Sequence, residues 1–207
     1  MKKFKIKCFC KVNLCLRVIK KISKNYHVIK SFITFCDVHD VISLSINKSL
    51  KDKIIFSGKF KKGINKENNT ISKVLLLLRK QKLLNNQYFD INVKKNIPHG
   101  SGLGGGSSNA ASLLNFFNSK MCLKISKNNI YKIANQIGFD VPINLEKKNT
   151  LLFGKKNRIF RYSQKLKFNI LIVYPDLICS TKKIYKKNKK FNQTNSQSNF
   201  QIKNKKK

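Results

Sequence analysis

The chain has 207 residues, 41% of them apolar, which is enough for one large domain or for one domain and part of a second. No apolar run approaches the ~18 residues of a membrane-crossing helix, lysines at positions 5, 7 and 11 break any leader-like stretch, and the six cysteines form no C-x-x-C pair, so they read as free thiols of a cytoplasmic protein. The formal net charge of +37 is extreme, yet Lys, Asn and Ile crowd every segment and Arg is scarce; this is compositional drift rather than a nucleic-acid footprint, although the field draws anionic small molecules.

Residues 4–20 alternate apolar and polar, as one strand or a pair of strands would. Ser23-Lys24-Asn25 reads as a turn. Strands are expected over 28–36, 40–46 and 53–57. The segment 69–84 has a helical stripe through Leu76, Leu77, Leu83 and Leu84, with Asn69 or Thr70 as its cap. Residues 88–94 alternate again. A glycine-rich stretch follows, then a helix to about Asn118, and a second helix over 126–137 capped by Ser126 and stopped by Gly138. Strands are expected at 150–153 and 168–174. Beyond Lys186 the chain is a polar run of Lys, Asn, Gln and Ser, with no acid after Asp176, and is expected to be disordered.

The glycine-rich stretch is Pro98-His99-Gly100-Ser101-Gly102-Leu103-Gly104-Gly105-Gly106-Ser107-Ser108. Glycines let backbone N–H groups approach a ligand with no Cβ in the way. A helix start directly after them adds free N–H groups and a positive dipole end, which together make an anion cradle. Walker A chemistry is excluded, because Gly106 is followed by Ser107 and not by Lys. A dinucleotide site lacks its ribose carboxylate, since no Asp or Glu stands between Asp90 and Asp140.

Ile97-Pro98 with the run from Gly102 to Ala111 resembles the central ATP-phosphate motif of the GHMP kinases. The form with three consecutive glycines, Ser-Ser and Asn-Ala-Ala is similar to the branch that phosphorylates 4-diphosphocytidyl-2-C-methyl-D-erythritol on its C2 hydroxyl, a step of the non-mevalonate isoprenoid pathway. Lys11-Val12-Asn13-Leu14, Tyr26-His27 and Gly138-Phe139-Asp140-Val141-Pro142 resemble further motifs of that branch in order and spacing, and Pro175 with Ser180-Thr181 and Tyr185 is a weaker fifth match. The resemblance implies an α+β fold: a GHMP kinase N-terminal domain, ribosomal protein S5 domain 2-like, over 1–150, the start of an incomplete ferredoxin-like C-terminal domain over 151–186, and the tail over 187–207.

It also implies roles. Asp140 is the catalytic base, and Lys11 neutralises charge beside it. The backbone and hydroxyls from Pro98 to Ser108 hold ATP. Asn13, Tyr26, His27, Thr181 and Tyr185 hold the substrate, the two tyrosines by stacking on the cytosine. Mg²⁺ comes with ATP, and its ligands are unassigned. On the residues alone, Lys11 equally reads as one exposed lysine among many, Asp140 as a turn carboxylate and Tyr185 as an aromatic leading into the tail. Departures from the pattern are Lys24-Asn25 where the family has Asp-Gly, and Phe9-Cys10 where it has Pro-Ala. No glycine follows Gly154, so the family's later glycine motif is missing and reduced catalysis is expected. Another GHMP kinase, an inactive remnant and an RNA-binding protein of the same fold stay open as readings.

Overall fold

The computed structural model describes residues 2–23, 26–154, 158–164, 166–167 and 169–175. Its frame is a hairpin of two long strands, β1 (Phe4–Ser23) and β2 (Tyr26–Asn47), paired antiparallel along their length. Four register shifts, the first between Phe9 and Lys11, bend the pair. The two strands expected at 28–36 and 40–46 are one. The polar Asp37–Asp40 stretch does not break β2, because the register shift there sets residues 36–38 of β2 against Cys10 of β1, so β2 bulges and continues, and Asp40 is itself paired.

The far edge of β2 is shared. Residues 41–47 pair with β4 (Tyr88–Lys94), and residues 30–33 pair with β5 (Asn149–Phe153). β3 (Lys53–Ser57) lies parallel to β4, and β6 (Arg158–Tyr162) lies antiparallel to β5, closing a six-stranded sheet. β5 spans the 150/151 position where a domain boundary was expected and is hydrogen-bonded into this same sheet.

Helix α2 (Gly105–Lys120) lies on β1 and β2, and α1 (Thr70–Lys80), α3 (Lys127–Ile137) and the one-turn α4 (Val141–Asn144) gather around it. The core between sheet and helices holds Ile42, Leu44, Phe89, Ile91, Leu113 and Phe117, all at most 2% exposed. A smaller cluster of Ile33, Ile143 and Leu152 packs α4 onto β2 and β5.

Helix α1 stops at Lys80, four residues short of its apolar stripe. Leu83 N donates to Leu78 O and Lys82 N to Arg79 O, and Lys82 takes φ 55°. This is a Schellman stop with lysine where glycine is usual, so no glycine announced it. It returns Leu84 to the core at 1% exposure.

The strand expected at 168–174 is not found among the described residues there. None of the described residues 169–175 is paired to a described strand, and Leu171 and Val173 are 89% and 79% exposed. β6 was not anticipated at all; its Arg-Ile-Phe-Arg-Tyr alternation is only five residues long.

Candidate active site

The glycine stretch leaves β4, crosses in front of β1 and enters α2. Gly104 stands immediately before the helix in the left-handed region, at φ 70° and ψ 21°, and a Cβ there would come within 2.9 Å of Lys11 Cγ. Both facts demand glycine. Three contacts fix the path: Lys11 N donates to Leu103 O (3.0 Å), Ser108 Oγ to Phe9 O (2.7 Å) and Thr70 Oγ1 to Gly106 O (2.8 Å). Asn69, not Thr70, caps α1, in a reciprocal box with Ser72.

By contrast α2 has no side-chain cap. Helix geometry leaves the N–H groups of Gly105, Gly106 and Ser107 without an intrahelical acceptor. They open onto a cavity of about 470 Å³, lined by the glycine stretch on one side and by Asn65, Asn68, Asn69 and Thr70 on the other. Of residues 98–108, all but Leu103 and Ser108 line it. Leu103 turns its carbonyl to Lys11, and the Ser108 hydroxyl is committed to β1. Only Ser107 of the serine pair faces the cavity.

Asp140 contributes the only carboxylate among the described lining residues. It precedes α4 and makes no side-chain cap to it, while its carbonyl accepts from Asn144 Nδ2 (2.7 Å). Its Oδ2 lies 3.6 Å from Lys11 Nζ, with the Lys11 side chain 7% and the Asp140 side chain 44% exposed. Lys11 Nζ also donates to Asn13 Oδ1 (2.6 Å), and Asn13 Nδ2 donates to the buried Ser31 Oγ (2.7 Å). Lys11, Asn13, Asp140 and the glycine stretch therefore converge.

His27 lies six positions along β2 from Ile33, the residue opposite Asn13. At about 3.3 Å per residue that is roughly 20 Å away along the hairpin. Tyr26 opens β2. Thr181 and Tyr185 lie outside the described residues.

Three further residues shape the site and were not singled out from the sequence. Lys95, 3% exposed, forms an ion pair with Asp40, which is fully buried. The Asp40 carboxylate also accepts from the N–H groups of Asn96 (2.7 Å) and Ile97 (2.9 Å), so it fixes the bend where β4 becomes the glycine stretch. Lys95 reaches the cavity wall beside Gly105. Asn109, 2% exposed on the same wall, keeps an Oδ1 with no hydrogen-bond partner. An acid directly before the apolar-rich run 41–46, in a chain with eight acids, was the readable signal for Asp40; Lys95 was hidden among many lysines.

Replacing Asp40 by Ala strands a buried ammonium and two N–H groups, and is expected to lower stability by about 3–5 kcal/mol in urea unfolding.

The neighbouring thiols are packing groups. Burial pushes the Cys8 thiol up to about 12 and also raises that of Cys10, whose Sγ lies 2.7 Å from Cys36 Sγ. No group of three His, Cys, Asp or Glu able to hold a metal occurs among the described residues, and none of the described helices is long and apolar enough to cross a membrane.

Comparison with known proteins agrees with this geometry. Residues 69–146 match the family described as GHMP kinases N terminal domain. A curated relative from Pelagibacter ubique (strain HTCC1062), named 4-diphosphocytidyl-2-C-methyl-D-erythritol kinase, is 48% identical over 187 residues, covering 90% of this chain and 66% of the relative. One of the same name from Petrotoga mobilis is 36% identical over 182 residues, covering 88% and 68%. Among solved structures, a 4-(cytidine 5'-diphospho)-2C-methyl-D-erythritol kinase superposes with a TM-score of 0.63 at 22% identity, covering 78% of this chain and 56% of that one. A homoserine kinase from Cytophaga hutchinsonii gives 0.55 at 18%, covering 76% and 51%.

The chain belongs to the GHMP kinase family. Within that family, the curated relatives it matches carry the name 4-diphosphocytidyl-2-C-methyl-D-erythritol kinase, and the chain spans about two thirds of their length.

Proposed function

We propose that this protein transfers the γ-phosphoryl group of ATP to the C2 hydroxyl of 4-diphosphocytidyl-2-C-methyl-D-erythritol, in the cytoplasm, as a step of non-mevalonate isoprenoid synthesis. The observation that carries the reading is the 3.6 Å approach of Lys11 Nζ to Asp140 Oδ2 beside the uncapped start of α2. Phosphoryl transfer is mainly a matter of positioning and charge stabilisation. The N–H groups of Gly105, Gly106 and Ser107 receive the phosphate oxygens. Asp140 orients the acceptor hydroxyl and takes its proton. Lys11 pairs with Asp140 and offsets charge on the transferred group, and Asn13 holds Lys11 in place and extends towards the substrate. Tyr26, His27, Thr181 and Tyr185 hold the cytosine end. Mg²⁺ enters on the phosphates of ATP as part of the substrate, and the Ser107 hydroxyl, which lines the cavity, is one protein oxygen that would meet it.

The test is an assay of ADP release with ATP, Mg²⁺ and the diphosphocytidyl substrate, with the product read by phosphorus NMR. A new phosphomonoester is expected, with inhibition by CDP. No transfer, or equal ADP release with homoserine or mevalonate, would overturn the proposal.

A further inference from the structure

Arg161 lies on β6, outside every motif that marks the site, yet its guanidinium grips the turn that carries Asp140. Its Nη2 donates to Pro142 O (2.8 Å), and its Nη1 to Ile143 O (2.7 Å), Thr150 Oγ1 (2.7 Å) and Glu146 O (3.3 Å). The side chain is 13% exposed. A helix of one turn leaves its last carbonyls short of intrahelical donors, Pro142 O receiving only a 3.5 Å contact from Leu145 N, and a cation at that end is favoured. Arg161 supplies both from a strand that is itself locked to β5, where Thr150 stands directly opposite it.

Two asparagines tie the turn as well. Asn115 Nδ2 of α2 donates to Leu145 O (2.8 Å), and Asn144 Nδ2 donates back to Asp140 O (2.7 Å). Glu146 lies 4.0 Å from Arg161 Nε. Burial works against the charge of Glu146, but its hydrogen bond with Lys148 and the charges of Arg161 and Lys148 hold its carboxyl below the usual range. The Asp140 side chain has no cap bond to α4, so apart from its contact with Lys11 its direction follows the backbone of this turn.

We propose that Arg161 is a positioning residue, clamping α4 to the β5–β6 edge so that Asp140 faces Lys11. This rests on the kinase reading above. It touches neither nucleotide nor acceptor, and it acts through the placement of one carboxylate. Lysine cannot replace it, because one ammonium does not span carbonyls of three residues as the planar fork does.

The test compares the full chain with Arg161→Lys and Arg161→Met, each well below its own melting temperature. Both variants are expected to lose kcat on the order of 10–100-fold, the scale of a misplaced catalytic group, with KM for ATP within about twofold because the α2 start is untouched. Amide exchange over 140–146 is expected to accelerate while exchange in α2 stays as in the parent. Unchanged exchange over 140–146 overturns the proposal whatever the turnover, and so does a wild-type kcat in the folded variants. If the parent protein transfers no phosphate, the kinase reading fails, and the exchange arm still decides whether Arg161 clamps the turn.

Discussion

Asp140→Asn is expected to lower kcat on the order of 10²–10⁴-fold, the usual worth of a positioned general base. The amide keeps the size of the carboxylate. Asp140 forms no cap to α4, so the fold loses only the contact to Lys11. ATP affinity is expected to hold or improve, because the phosphates are received by α2 amides and the change removes a negative charge from the cavity wall. Steady-state kinetics beside calorimetric ATP titration separates the two effects. A variant within threefold of the parent in kcat would end the assignment of Asp140 as base.

Gly104→Asp is expected to weaken ATP binding more than 100-fold, about 2.7 kcal/mol in binding free energy. Two causes act together. The backbone at φ 70° costs a non-glycine residue about 1–2 kcal/mol, and the new Cβ meets Lys11 Cγ at 2.9 Å. The new carboxylate would also stand at the helix start where phosphate oxygens are received, and like charges repel. Gly102→Ala is the control. Gly102 also has positive φ, at 77°, but a Cβ there meets nothing within 4 Å, so a smaller loss is expected. Equal losses in the two variants would show that backbone strain alone matters and that the closeness of Gly104 to Lys11 does not.

Much of this site could be read in the chain because its chemistry is local. A glycine run between a strand and an Ala-containing helix predicts a phosphate cradle without tertiary knowledge, and most helices and strands up to residue 150 followed from periodicity and caps, the unbroken β2 and the one-turn α4 excepted. What could not be read depended on partners distant in sequence. The continuity of β2 through Asp37 and His39 depends on a bulge in β2 held against β1 and on Lys95, 55 residues beyond Asp40. The α1 stop depends on a lysine in a conformation that favours glycine. The apolar stretch after residue 168 reads as a strand, but strands exist only by pairing, and no described strand pairs with it. Arg161 was unreadable for a related reason: its acceptors are main-chain carbonyls of 142, 143 and 146, and backbone atoms leave no mark on composition.

The bare beginning of α2 has a thermodynamic consequence. A helix that starts without a side-chain partner is unfinished in the free protein, and a bound polyphosphate completes it. Any ligand that engages only the folded chain raises resistance to melting by mass action, about 2.7 kcal/mol at one hundred times its Kd. On the proposed reading nucleotide is both a reactant and a structural component, and the melting temperature is expected to rise with triphosphate concentration.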